Sequence, residues 1–215
     1  MVQNFRQQIP EAKEIPEEIA INFSWNIITA NSYQHRCRRQ DMRKLLIVID
    51  MQNAFIDGAL GTEEAEAIVE NVKAKIRSYD PHDIIATRDT HEVNYLETQE
   101  GRYLPVEHCI RGTAGWEVRP DIAELLTDAR VYDKPTFGST KMAADIAEMA
   151  AREEIELELI GLCTDICVVS NALLLKATMP EVKITVDPAC CAGVTPESHE
   201  AALKTMQMCQ IQMAE

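Results

Sequence analysis

The chain has 215 residues, enough for one domain with a sizeable core and a short appended arm. Its 46% hydrophobic and 26% charged residues are ordinary for a globular protein, and a formal net charge of −14 argues against nucleic acid and anionic membrane as partners. No apolar stretch reaches the length of a membrane span, and Met1 to Gln8 lack the apolar run of a secretory signal. Seven cysteines, an odd number with no paired framework, point to a reducing cytoplasm and away from a structural zinc ribbon.

Residues 1–41 are polar, hold Pro10 and Pro16, and end in Arg36, Arg38 and Arg39. They are expected to form a flexible extension ahead of a domain spanning 42–215. From Leu45 the pattern alternates. Leu45 to Ile49 reads as a continuous apolar strand, and Glu63 to Arg77 as a helix with Ala65, Ile68, Val69, Val72 and Ile76 at helical spacing. Asp83 to Thr87 is a second strand, Ile122 to Leu126 a short helical piece, and Arg130 to Asp133 a third strand. Lys141 to Glu153 is helical, with Met142, Ile146 and Met149 on one face. Leu157 to Leu162 is the fourth strand, Cys167 to Ala177 the next helix, Lys183 to Val186 the fifth strand and Pro196 to Cys209 the last helix. Apolar strands separated by helices predict a three-layer α/β/α domain with a mostly parallel, Rossmann-like sheet.

In such a sheet the carboxyl ends of different strands converge on one crevice. Those ends carry Asp50 after the first strand, Asp89 and His91 after the second, Lys134 after the third, and Cys163 to Cys167 after the fourth. Cys167 stands where a strand ends and a helix begins, so free N–H groups and the helix dipole are expected to favour its thiolate. Asp50 beside it could take the thiol proton and later return it to a leaving amine, given a pKa raised by burial against an apolar wall such as Phe55. Lys134 would favour both anions. The N–H groups of Cys163 and Cys167 could receive a developing oxyanion. Singly, each has an ordinary explanation: a cap for Asp50, a surface charge for Lys134, a small buried hydrophobe for Cys167. Together, at one sheet edge, they form a catalytic set.

Three segments carry a resemblance: Ile49-Asp50-Met51-Gln52-Asn53-Ala54-Phe55, Asp133-Lys134, and Gly161-Leu162-Cys163-Thr164-Asp165-Ile166-Cys167-Val168. From Lys44 to about Gln210 the chain resembles the isochorismatase-like cysteine hydrolases, and within them the nicotinamidases. The resemblance implies a catalytic Asp50, Lys134 and Cys167, an oxyanion hole at Cys163 and Cys167, and a cis peptide between Leu162 and Cys163. It implies hydrolysis of nicotinamide to nicotinate and ammonia through a thioester, a place in NAD metabolism, and a homo-oligomeric habit. It also implies a divalent metal, zinc foremost with iron or manganese as alternatives, held by Asp89, His91 and His108. Carboxylate plus two imidazoles suits those metals and leaves positions open. Glu100 falls where some nicotinamidases place a fourth ligand, with Glu97 as its rival.

One departure bears on the substrate. Nicotinamidases commonly place an aromatic residue before the proline of the later histidine segment, whereas here Leu104 precedes Pro105. Phe55, Tyr95, Trp116 or Phe137 would then supply the stacking face, Phe55 alone having a motif position. Cys109, Cys190, Cys191 and Cys209 are assigned to packing, and His35, His82 and His199 to the surface. The alternatives are another small-amide or carbamoyl hydrolase on the same triad, or a catalytically idle oligomeric binding or redox module.

Overall fold

The computed structural model describes residues 42–214, so the extension expected over 1–41 lies outside the described residues. β1 (Arg43–Ile49) leads through α1 (Asn53–Ile56), α2 (Glu63–Ala67) and α3 (Val69–Arg77) to β2 (Ile84–Asp89). Next come α4 (Gln99–Tyr103), α5 (Pro120–Ala123), β3 (Arg130–Lys134), α6 (Thr140–Ala150) and β4 (Ile155–Leu162). A π-helical turn (Thr164–Val168) runs into α7 (Val169–Thr178), followed by β5 (Lys183–Ala192), α8 (Pro196–Met208) and β6 (Gln212–Met213). The sheet order is β3-β2-β1-β4-β5-β6, and every pairing is parallel.

β1 is central because all but its first two residues are buried, and alternate side chains feed two cores. Leu45, Ile47 and Ile49 pack with Met142 and Ile146 of α6, Ala172 and Leu175 of α7, and Leu203 and Met206 of α8. Leu46 and Val48 face Val69, Val72 and Ile76 of α3 and Ile122 of α5. The three-layer arrangement expected from the sequence is the one observed.

Local chemistry sets the element ends. Thr62 Oγ1 accepts from Ala65 N, Ser139 Oγ from Met142 N, and Thr195 with Ser198 forms a capping box behind Pro196. The helix expected over Glu63–Arg77 is interrupted at Ile68, which ends α2 and begins α3. The second strand begins and ends later than expected, because Asp80 caps a single 3-10 turn over Pro81–Asp83. That shift makes Asp89 the last residue of β2. β5 continues beyond Val186 to Ala192, with a register break against β4 between Leu159 and Gly161. α1, α4 and β6 are too short to leave a periodic signal. Cys109, Cys190 and Cys191 are buried, but Cys209 is exposed at the end of α8 and does not pack as expected.

The strand order reverses between β1 and β4, and ligand crevices open at such switch points, outside the strands' carboxyl ends. Gly161 makes the close approach of these strands possible: its φ is +119°, and a Cβ there would lie 2.1 Å from the Ile49 carbonyl oxygen. Asp50 follows directly, itself at φ +48°, a left-handed conformation uncommon outside glycine.

Candidate active site

Four strand ends bring Asp50, Asp89, Lys134 and Cys167 to one floor. Lys134 is 1% exposed, and its Nζ lies 2.6 Å from Asp50 Oδ2, 3.3 Å from Asp89 Oδ1 and 3.4 Å from Cys167 Sγ. Asp50 Oδ1 accepts from Thr87 Oγ1 at 2.6 Å. Its Oδ2 has no well-directed hydrogen bond despite the short contact with Lys134, so a lone pair stays available within reach of the Cys167 thiol. Of the oxyanion-hole candidates, Cys163 is the N-cap of the π-helical turn and Cys167 lies within it; Ile166 N and Val168 N both donate to the Cys163 carbonyl. The peptide between Leu162 and Cys163 is cis, where the resemblance placed it.

The electrostatics differ from the sequence-based expectation at the thiol. Burial, reinforced by the Asp50 charge, pushes Cys167 well above the ordinary thiol range, and Lys134 only partly offsets this. The dipole does not win because it fades within the first turn, and Cys163, not Cys167, occupies the N-cap of that turn. The two carboxylates are pushed apart. Burial raises Asp50 despite Lys134, whereas at Asp89 burial is outweighed by His91, Lys134 and His108, which hold it below the ordinary value. A group raised in this way is chemically suited to exchanging protons, and one held low stays ionised.

Beside this triad lies a second cluster. Asp89, His91, Glu100 and His108 each present a ligand atom, all within 4.8 Å of one another. His91 Nε2 is 2.9 Å from Asp89 Oδ2 and 3.5 Å from Glu100 Oε1; His108 Nε2 is 3.7 and 3.8 Å from the same two oxygens. Two observations fit these residues to a cation. His91 Nε2 is buried without a directed hydrogen bond. His108 Nδ1 lies 2.8 Å from the Val106 carbonyl, which can only accept, so Nδ1 carries the proton and Nε2 offers its lone pair to the cluster. Glu100 therefore belongs to the group, and its rival Glu97 is exposed outside it.

Residues that the sequence did not single out build this geometry. Gln52, fully buried, donates from Nε2 to the Asp89 and Trp116 carbonyls and accepts the Asp89 N–H, locking the backbone of Asp89. His108 reaches His91 because the two loops pair: His91 N donates to the Cys109 carbonyl and Arg111 N to the His91 carbonyl. Tyr95, a sequence candidate for the stacking face, instead lies wholly buried behind both imidazoles, 4.6 and 5.0 Å from their centroids. Trp116 stacks under Arg88 at 3.8 Å and donates to Thr90, away from the crevice. Asn171 ties Cys167 to the Phe137 loop, donating to both carbonyls and accepting from Ser139 N. His199 is not a free surface residue: its Nδ1 is 2.8 Å from Thr164 Oγ1, joining α8 to the cysteine turn. Side chains with two possible roles, such as these, give no periodic signal to read.

Above the floor opens a cavity of about 380 Å3 lined by Phe55, Asp89, Glu100, Leu104, His108, Cys163 and Cys167 among others. Phe55 and Leu104, both expected at the pocket, are there, with the Phe55 ring 5.6 Å from that of His108. Phe137 also lines it.

A doubly wound parallel sheet with acid, lysine and thiol at its switch point defines the class, and the isochorismatase domain model matches residues 44–214. The chain belongs to the isochorismatase family. It is 31% identical over 175 residues to an uncharacterised isochorismatase family protein, PncA, of Bacillus subtilis (strain 168), covering 75% of this chain and 93% of that protein. Two solved structures are also similar. The nicotinamidase/pyrazinamidase PncA of Bacillus subtilis matches with a TM-score of 0.70 at 29% identity, covering 81% of this chain and all of that one. The pyrazinamidase of Pyrococcus horikoshii in complex with zinc matches with a TM-score of 0.65 at 25% identity, covering 80% and 99%.

Proposed function

We propose that this chain is a cysteine amide hydrolase with nicotinamidase activity, converting nicotinamide and water to nicotinate and ammonia. The observation that carries the reading is Lys134 in simultaneous contact with Asp50 and Cys167 at the floor of a cavity whose adjacent wall is the four-donor cluster. The family and its amidase members, including a pyrazinamidase with zinc, support it.

Asp50, its basicity raised by burial, takes the Cys167 proton as sulfur bonds to the amide carbon. The carbonyl π pair moves onto oxygen, where the N–H groups of Cys163 and Cys167 receive it. The C–N bond then breaks, Asp50 returns its proton to nitrogen, and ammonia leaves a thioester. Water, losing a proton to Asp50, attacks the thioester; the C–S bond breaks and the proton goes back to sulfur. Lys134 keeps a positive charge beside whichever of the two anions is present, so a buried negative charge is compensated throughout. Asp89, His91, Glu100 and His108 would hold a divalent metal, zinc foremost with iron or manganese as alternatives. When bound, that metal supplies a Lewis-acid position for a ring nitrogen.

Ammonia release from nicotinamide by zinc-replete protein, with Cys167→Ala beside it, tests the reading. Release by the parent alone supports it; release by both, or by neither, overturns it. A homo-oligomeric, cytoplasmic enzyme of NAD metabolism belongs to the same proposal, and sedimentation checks the first of these. Among the described residues, no helix is long and apolar enough to cross a membrane.

A further inference from the structure

The cavity is larger and less polar than a single pyridine carboxamide requires. About 380 Å3 lies within the range of pockets that enclose drug-sized ligands, and nicotinamide is one ring with one small substituent. Its charged and imidazole lining, Asp89, Glu100 and His108, lies beside Cys167; away from these the polar groups are Thr62, whose hydroxyl caps α2, and the Tyr103 phenol. The rest of the lining includes Leu60, Tyr103, Leu104, Phe137, Ile166 and Val194. Four of these are exposed: Tyr103 86%, Val194 50%, Phe137 42% and Leu104 37%. Large apolar side chains gathered at the mouth of one crevice mark a surface that is covered in use.

The rim is also built to hold its shape. Tyr103 ends α4, whose Thr98 cap and close packing on Tyr95 fix it; a Cβ at Gly101 would lie 2.1 Å from the Tyr95 carbonyl oxygen. The Phe137 carbonyl accepts from Asn171, which also holds the Cys167 carbonyl, so this wall is tied to the nucleophile's own helix. Val194 N donates to both oxygens of Asp165, on the same π-helical turn. Three separate segments therefore carry the apolar residues on anchored backbone, two of them tied to the turn and helix that bear Cys167.

Resting on the nicotinamidase reading, we propose that the site takes pyridine carboxamides bearing an apolar substituent at ring carbon C5. The direction follows from ring geometry. With the ring nitrogen toward the Asp89–His91–His108 end and the C3 carboxamide toward Cys167, C2 faces the floor. C5, opposite C2, then points to the mouth, into the space between Leu104, Phe137 and Val194. A straight alkyl group placed there loses water contact along its length, and each methylene so buried tightens transition-state binding about fourfold (about 0.8 kcal/mol).

The experiment compares nicotinamide with 5-propylnicotinamide on the full-length, zinc-replete protein, by kcat/KM, and by calorimetric binding of both amides to Cys167→Ala. The expected result is a kcat/KM at least tenfold higher for the propyl compound, and at least tenfold tighter binding. Phe137→Ser and Val194→Ser should shrink that ratio to about threefold or less, with circular dichroism confirming the fold of each. Hydrolysis of nicotinamide with no gain, or a loss, for the propyl compound overturns the inference and leaves the nicotinamidase reading standing. Neither amide bound nor hydrolysed overturns both. Rim variants that leave the ratio intact but change the sedimentation coefficient also overturn it, because the rim is then a contact between copies.

Discussion

Among the described residues Lys73, Lys75 and Lys134 each bridge two carboxylates, and only Lys134 stands at the candidate active site; Lys75 makes the closest contrast with it. Lys134 lies 2.6 Å from Asp50 and 3.3 Å from Asp89; Lys75 lies 2.7 Å from Glu158 and 2.8 Å from Asp187. Both are held above the ordinary lysine value, because their carboxylates outweigh the burial that opposes the charge. Lys75 joins α3 to the face of β4 and β5, a quarter exposed, with the Tyr79 hydroxyl donating to Glu158. Lys134 is 1% exposed and lies 3.4 Å from the Cys167 thiol, which lines the cavity. Ion pairing alone therefore does not mark a catalytic residue. What separates the two is the company of a thiol and an adjoining cavity, to which other strand ends contribute.

The comparison is most sharply broken or kept by replacing the sulfur. Cys167→Ala should lower turnover by about 10⁴-fold or more while moving Tm by no more than about 4 °C, since one buried atom is lost. Ammonia assay and a thermal melt check the two halves. Lys134→Ala should remove activity and also destabilise by about 3–5 kcal/mol, because Asp50 and Asp89 are left buried near each other without a cation. Urea unfolding reads the second effect, and a stability unchanged from the parent would show that Lys134 is not needed to compensate them.

Loss of the cluster beside the triad should weaken binding more than it weakens chemistry. His108→Ala, or chelator treatment, should raise KM for nicotinamide by about tenfold or more, with zinc content falling in parallel by atomic emission. Lys75→Met should cost only about 1 kcal/mol, discounted for its exposure, and should leave kcat within about twofold of the parent. The smallest effect is in pH. The pKa of Lys75 in the fold is raised above its ordinary 10.5, so its stabilisation is complete below that value and is lost as pH rises through the raised one. The parent's urea midpoint should therefore begin to fall toward that of Lys75→Met only above about pH 10.5, and stay a constant distance above it at neutral pH.

The sheet and most of its helices were legible in the chain because strands buried on both faces are written as unbroken apolar runs, as in Leu45 to Ile49. Asp50, Lys134 and Cys167 were legible for a related reason: strand ends in a parallel sheet converge, so a list of strand-end residues is already a list of neighbours. Glu100 was read only by resemblance, and its choice over Glu97 required the packing of α4 against Tyr95. Gln52 and Asn171 were given no role and His199 was assigned to the surface, since a hydrogen bond between distant segments leaves no period in the sequence. The thiol was misjudged for the same kind of reason. Its position at a strand–helix junction is local and visible, whereas its burial beside Asp50 is a property of the folded surroundings.

The amino-acid sequence by itself determined the layered α/β architecture, the edge at which chemistry gathers and the residue types available there, because periodicity and strand order are local or combinatorial properties of the chain. Only the tertiary structure decided which acid is pushed up and which is held down, which fourth donor joins Asp89, His91 and His108, and how wide the cavity above Cys167 opens. Those depend on desolvation and on distances of a few ångströms between segments far apart in sequence, and such quantities exist only once the chain has folded.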